Sequence, residues 1–233
     1  MKIALLGYGK MGKEIEKIAL ERGHEIVLKK TEENDFNGLE NADVAIDFSI
    51  PTAATENIST CFNYNIPVVS GTTGWLEQYD EMVVLCNEKN GAFLYGSNFS
   101  VGVNLFFELN AYLAKLMANI KEYNVSMEEI HHTQKLDAPS GTAISLANGI
   151  IAATDYTNWT LENPSENQIH IDAKRIEDVP GTHSVFYKSV VDEIEIKHTA
   201  FSRQGFALGA VVAAEWIKGK KGIFSMKDVL NLG

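Results

Sequence analysis

Residues 7–12 limit what this chain can fold into more than any other stretch. Gly7-Tyr8-Gly9-Lys10-Met11-Gly12 fits the pattern G-x-G-x-x-G and directly follows the apolar run Ile3-Ala4-Leu5-Leu6. It opens a segment in which Met11, Ile15, Ile18, Ala19 and Arg22 recur at helical spacing, with Gly23 as a stop. In a strand–turn–helix unit the first glycine makes the turn and the second lets a pyrophosphate approach the backbone. The third lets helix and strand pack closely. The helix N-terminus then offers N–H groups to phosphates. A plain tight turn would use the same glycines, so the motif points to a dinucleotide and leaves the reaction open.

The pattern continues as alternating strands and helices. Glu25–Leu28, Asp43–Phe48, Ile66–Val69 and Ala92–Tyr95 read as strands, Ser49 and Pro51 suit a helix start, and Trp75–Glu88 reads as a helix. Buried strands alternating with helices predict an α/β fold with a doubly wound parallel sheet. Beyond residue 100 the pattern changes. A helix over 102–119, a strand over Glu122–His131 and a helix over Ser140–Ala153 are followed by strands at Ile169–Ile171, Ser184–Val191 and Glu193–His198, then a helix over Gly205–Lys218. The expected organisation is a dinucleotide-binding domain from residues 1–100 with 204–233, and an inserted α+β domain on a mixed sheet over 101–203.

The chain of 233 residues is 45% apolar, enough for a sizeable core, and carries a net charge of −11. That balance argues against nucleic-acid or anionic-membrane binding, which reward a basic face. Cys61 and Cys86 form no CxxC and indicate neither a disulfide framework nor a zinc site. No run approaches the roughly 20 apolar residues of a membrane span, and the N-terminal run is too short for a signal peptide. A cytoplasmic protein is expected.

Two further segments suit the cofactor. Lys29 and Lys30 would meet a 2′-phosphate and Glu32 a ribose hydroxyl, although all are equally consistent with solvated loop charges. Gly71-Thr72-Thr73-Gly74 follows the fourth strand, where the ligand crevice of such a sheet opens, and its backbone and hydroxyls would contact the nicotinamide half. A simple glycine turn is the alternative.

The segment Glu129-Ile130-His131-His132-Thr133-Gln134-Lys135-Leu136-Asp137-Ala138-Pro139-Ser140-Gly141-Thr142-Ala143 carries the chemistry. Ser140 can cap a helix whose Gly141 and Thr142 N–H groups form an anion site. Two histidines and a lysine upstream add cations and a proton donor, a combination suited to reducing a small anionic substrate. Each residue taken singly also fits a loop or surface role. The other histidines, His24, His170, His183 and His198, are scattered, so no metal is expected.

Taken together, GYGKMG at 7–12, VAIDFSIP at 44–51, GTTG at 71–74, SNFSVGVN at 97–104, EIHHTQKLDAPSGTA at 129–143 and HTAFSRQGFALGA at 198–210 resemble the dihydrodipicolinate reductase family. The resemblance runs almost end to end. It implies a Rossmann-like domain, an inserted substrate and oligomerisation domain, a homotetramer, hinges near SNFSVGVN and Ser202-Arg203-Gln204, and use of NADH and/or NADPH on a small dicarboxylate cyclic imine. It implies cofactor contacts from Gly7, Tyr8, Gly9, Lys10, Met11, Gly12, Gly71, Thr72, Thr73, Gly96, Ser97, Asn98 and Phe99, with Arg203 near the nicotinamide. His131 matches the family's acid–base residue, Lys135 its proton donor, and His132, Gly141 and Thr142 its substrate-carboxylate positions. Which of His131 and Lys135 delivers the proton stays open. Lys10 stands where the family commonly has arginine, the ribose acid has no clear counterpart, and 175–183 replaces a glycine-rich stretch. The competing readings are a reductase or dehydrogenase of another small imino or amino acid, and a nucleotide sensor without turnover.

Overall fold

The computed structural model describes residues 1–202 and 204–232. Arg203 therefore lies outside the described residues. The elements begin with β1 (Lys2–Leu6), α1 (Lys10–Glu21), β2 (Glu25–Lys30), β3 (Val44–Asp47) and α2 (Pro51–Asn63). β4 (Val68–Ser70), α3 (Tyr79–Glu88), β5 (Ala92–Tyr95), α4 (Val101–Met117), β6 (Asn124–His131) and α5 (Gly141–Ile151) follow. Then come β7 (Asn158–Thr160), β8 (Gln168–Arg175), β9 (Gly181–Lys188), β10 (Glu193–Ala200), α6 (Gln204–Ile217), β11 (Gly222–Phe224) and α7 (Met226–Leu230). The chain forms two compact units, Met1–Val101 with Gln204–Gly233, and Gly102–Arg203.

The first unit holds a six-stranded sheet in the order β11-β5-β4-β3-β1-β2, with parallel pairing throughout. Side-chain alternation splits its core into two layers. Ile3, Leu5, Val44, Ile46, Val69 and Leu94 pack with Ile15 and Ala19 of α1 and with Ala210 and Ala214 of α6. Ala4, Leu6, Ala45, Val68 and Phe93 pack with Ile58 and Phe62 of α2 and with Met82 and Cys86 of α3. The doubly wound α/β sheet expected from the sequence is therefore present. The expected helix start is met at Pro51, the first residue of α2; the residue before it is Ile50, with no side-chain cap, and the Ser49 hydroxyl donates to Asp47 Oδ1 at 2.7 Å.

The second unit is a five-stranded mixed sheet, β10-β9-β6-β8-β7. β6 runs parallel to β8 and antiparallel to β9. One face is covered by α4 and α5: Phe106, Ala114, Leu146 and Ile150 pack on Val125, Met127, Ile171, Val185 and Tyr187. β8 runs four residues past the expected end at Ile171, and this brings Arg175 into the sheet.

Candidate active site

In the first unit the carboxyl ends of adjacent strands are tied in order. Gly7 N–H donates to Lys30 O at 3.1 Å, Phe48 N–H to Leu6 O at 2.9 Å, Gly71 N–H to Asp47 O at 2.9 Å and Gly96 N–H to Ser70 O at 3.1 Å. The loops predicted to hold a cofactor thus sit side by side. Gly7 has φ +93°, and a Cβ there would lie 2.2 Å from Phe48 O; one on Gly12 would lie 2.3 Å from Gly7 O. Around Gly9 a Cβ would meet nothing within 4 Å. The outer glycines close the turn, and the middle one leaves the room a pyrophosphate needs. Beside it lies a cavity of about 550 Å³, lined among others by Gly7, Tyr8, Gly9, Lys30, Glu32 and Ser49. These residues fit a dinucleotide.

Several predicted contacts are restricted to the backbone. Met11 packs on the core, and the buried Phe99 ring lies 5.5 Å from Phe48. Lys10, Thr73 and Ser97 are exposed and Asn98 is half-buried. Thr72 is buried, its hydroxyl accepts from Ser49 N–H at 2.8 Å and donates to Asp47 at 2.8 Å, and its carbonyl accepts from Trp75 Nε1 at 2.7 Å. It shapes the loop and has no hydroxyl to spare. Lys29 is also engaged: its ammonium pairs with Glu16 at 2.6 Å and lies 5.0 Å from the centre of the Tyr8 ring. Tyr8 in turn donates to Glu16. Lys30 and Glu32 line the cavity.

The centre of this framework is a residue the sequence reading passed over. Asp47 is fully buried and accepts from Ser49 Oγ, Asn57 Nδ2, Ser70 Oγ and Thr72 Oγ1 at 2.7–2.9 Å. Burial raises its pKa, and these four donors oppose the rise. An acid ending the apolar strand Val44-Ala45-Ile46 was the available signal.

In the second unit, strand alternation places Val125, Met127, Glu129 and His131 on one face of β6. The first two are core, and the last two leave it at the carboxyl end. Register supplies their neighbours: Glu129 is opposite His183 on β9, and His131 is opposite Arg175 on β8. Glu129 is wholly buried; it accepts Ser140 N–H at 3.0 and 3.1 Å and Arg175 Nη2 at 3.2 Å. His131 Nδ1 lies 3.5 Å from the same carboxylate, and the His131 and His183 rings meet edge to face at 5.0 Å. Burial lowers the His131 pKa, with the Glu129 charge opposing and Lys135 and Arg175 assisting. Burial, aided by the charges of its neighbours, pushes His183 down to about 3. Both imidazoles are neutral at pH 7.

The following segment carries the remaining residues. Lys135 Nζ pairs with both Asp137 oxygens at 2.8 Å. Ser140 caps α5 by accepting Ala143 N–H at 3.2 Å, as expected. Gly141 and Thr142 form the first turn, where N–H groups point out of the helix end. His132 borders a separate cavity of about 280 Å³ with Gln134, Glu177 and Pro180.

The histidines scattered in sequence are not all scattered in space. Glu129, His131 and His183 offer three ligand atoms within 4.8 Å of one another. The carboxylate already serves Arg175 and Ser140, and His183 Nε2 lies 3.1 Å from Ser140 Oγ. The carboxylate oxygen that faces both imidazoles, Oε2, accepts the Ser140 N–H at 3.0 Å, while the Arg175 guanidinium sits on Oε1.

The description "Dihydrodipicolinate reductase, N-terminus" matches residues 1–99, and "Dihydrodipicolinate reductase, C-terminus" matches residues 102–230. The chain belongs to the dihydrodipicolinate reductase family. It is 58% identical to 4-hydroxy-tetrahydrodipicolinate reductase of Christiangramia forsetii, covering 99% of this chain and 98% of that protein. It is 35% identical to the enzyme of that name from Thermosipho africanus, over 99% and 98%. Among solved structures it superposes on a dipicolinate-bound dihydrodipicolinate reductase from Paenisporosarcina sp. TG-14 with a TM-score of 0.77, 22% identity and 97% coverage of both chains. An amine dehydrogenase from Mycobacterium smegmatis has the same fold at a TM-score of 0.62 and 8% identity. Membership of the reductase family makes this chain an oxidoreductase of the lysine pathway, using a nicotinamide cofactor. Among the described residues, no helix is long and apolar enough to cross a membrane.

Proposed function

We propose that this chain reduces 4-hydroxy-tetrahydrodipicolinate to tetrahydrodipicolinate through the residues that the sequence singled out. The observation that carries the assignment of roles is the arrangement in the second unit. The neutral buried imidazole of His131 and the capped N-terminus of α5 both meet the buried Glu129 carboxylate, and the segment between them carries the Lys135 ammonium, which pairs with Asp137.

NADH or NADPH, when bound, supplies the hydride. Gly7, Gly9 and Gly12 shape the turn for its pyrophosphate, with Tyr8, Lys10 and Met11 continuing the contact into α1. Gly71, Thr73 and the backbone of Thr72 and of Gly96–Phe99 line the nicotinamide side. Arg203 is assigned to the same half by the family pattern alone. The first-turn N–H groups of Gly141 and Thr142, with His132, hold the two substrate carboxylates and fix the ring. The 4-hydroxyl group leaves as water to give the conjugated imine, and as hydride adds to that system negative charge grows along it. The Lys135 ammonium stabilises that charge and donates the proton, and His131, neutral at pH 7, accepts and relays protons beside it.

A homotetramer in the cytoplasm completes the proposal. Leu105, Leu109, Tyr112 and Leu116 form an exposed stripe on α4, which supports self-association of the second unit. The test of the site is Lys135→Ala and His131→Ala. Each should lower kcat by about a hundredfold or more while NADH binding stays intact. Near-normal kcat in both would reject the roles.

A further inference from the structure

Arg175 touches no residue of the expected catalytic set through that residue's reactive group, yet it holds the whole segment that carries them. Its Nη2 donates to Asp137 O at 2.6 Å and to Glu129 Oε1 at 3.2 Å, its Nε to Lys135 O at 3.3 Å, and its Nη1 to Lys174 O at 2.8 Å. Glu129, pinned beneath it, takes the N–H of Ser140, the residue that caps α5. The backbone adds one more tie, Ile176 N–H to His131 O at 2.8 Å. The segment between His131 and α5 is therefore fastened at both ends and twice along its length. The fixed points are the carbonyls of Lys135 and of Asp137, its ion-pair partner. Without these ties the segment is an exposed loop, in which residues 133, 134, 136, 137 and 138 all face solvent.

We propose that Arg175, seated on Glu129, is a positioning residue for the reduction: it sets Lys135 in place relative to His131. The role requires the planar, forked guanidinium. A lysine would keep the charge but could not reach three carbonyls and a carboxylate from one rigid group. The inference rests on the roles given to Lys135 and His131 above. It predicts that Arg175 acts on turnover through Lys135 and has no effect on the cofactor.

The experiment is a double-mutant cycle on the full chain with Arg175→Lys, Lys135→Ala and the pair, measuring kcat, substrate KM, NADH dissociation constant and thermal midpoint. Arg175→Lys should lower kcat by about tenfold to a hundredfold, more than it raises KM, with the NADH constant unchanged. In the Lys135→Ala background the same change should cost little further, since the group being positioned is gone. A fully additive loss would overturn the proposal, as would a lowered thermal midpoint with normal kcat and KM. If Lys135→Ala alone keeps normal turnover, the assignment of Lys135 fails and the positioning role fails with it. Glu129→Gln gives a second check should Arg175→Lys fold poorly: it should lower kcat as Arg175→Lys does, and an unchanged kcat would contradict the proposal.

Discussion

The Thr72 hydroxyl donates to Asp47 Oδ2 at 2.8 Å, and this bond locks the loop after β4 onto the end of β3. Ser70 reaches the same oxygen at 2.7 Å, and Ser49 and Asn57 reach the other. One buried carboxylate thus fixes the strand-end loops on which the cofactor assignment rests. Asp47→Asn would turn an amide N–H₂ toward this ring of donors. The expected result is a loss of roughly 2–3 kcal/mol in denaturant unfolding, with weaker NADH binding. Unchanged stability and unchanged affinity would show that the ring is not needed.

The glycines of the first turn should separate folding from binding. Gly12→Ala places its methyl against Gly7 O, so it should destabilise the chain by roughly 1–3 kcal/mol. Gly9→Ala meets no protein atom within 4 Å. It should leave the thermal midpoint alone and weaken NADH binding by about tenfold or more, because the methyl occupies the path of the pyrophosphate. Normal NADH binding by Gly9→Ala would remove the turn from the cofactor site.

The two lysines at the end of β2 should behave differently. Lys29 is committed to Glu16, whereas the Lys30 ammonium borders the cavity, held by Thr31 O at 3.3 Å and Asn34 O at 3.1 Å. Lys30→Ala should reduce kcat/KM with NADPH by about fivefold more than with NADH, while Lys29→Ala leaves the ratio nearly unchanged. Equal effects of Lys30→Ala on both cofactors would exclude a 2′-phosphate contact.

His183 should make the fold acid-sensitive. Its folded pKa, about 3, lies below the unfolded value near 6.5, so the unfolded chain binds the extra proton first. Its contribution is fully present above pH 6.5 and is lost as pH falls toward 3, amounting to about 2 kcal/mol by pH 5. In unfolding titrations, His183→Asn should flatten the fall in stability between pH 6.5 and 5. An unaltered slope would place the acid sensitivity in other groups.

The first unit was legible in the sequence because its signals are local. Ile3–Leu6, the glycine turn and the helix behind them lie within 23 residues, and the unbroken apolar runs in Val44–Asp47 and Ala92–Tyr95 mark strands buried on both faces. In the second unit the chemical segment was legible, but the residues that hold it were not. Glu129 meets Arg175 across 46 residues and His183 across 54, through sheet register alone. Ending β8 at Ile171 hid Arg175, although Ile169-His170-Ile171-Asp172-Ala173-Lys174 keeps alternating up to the residue before it. The short strands β7 and β11 carry too few residues for a period to be read.

The most direct test of the central claim is cofactor oxidation by the purified full chain, followed by absorbance. The substrate would be made in situ from pyruvate and aspartate semialdehyde by dihydrodipicolinate synthase. Rapid oxidation of NADH or NADPH that depends on the synthase is the predicted result. No synthase-dependent oxidation, from a chain shown separately to bind the cofactor, would contradict it.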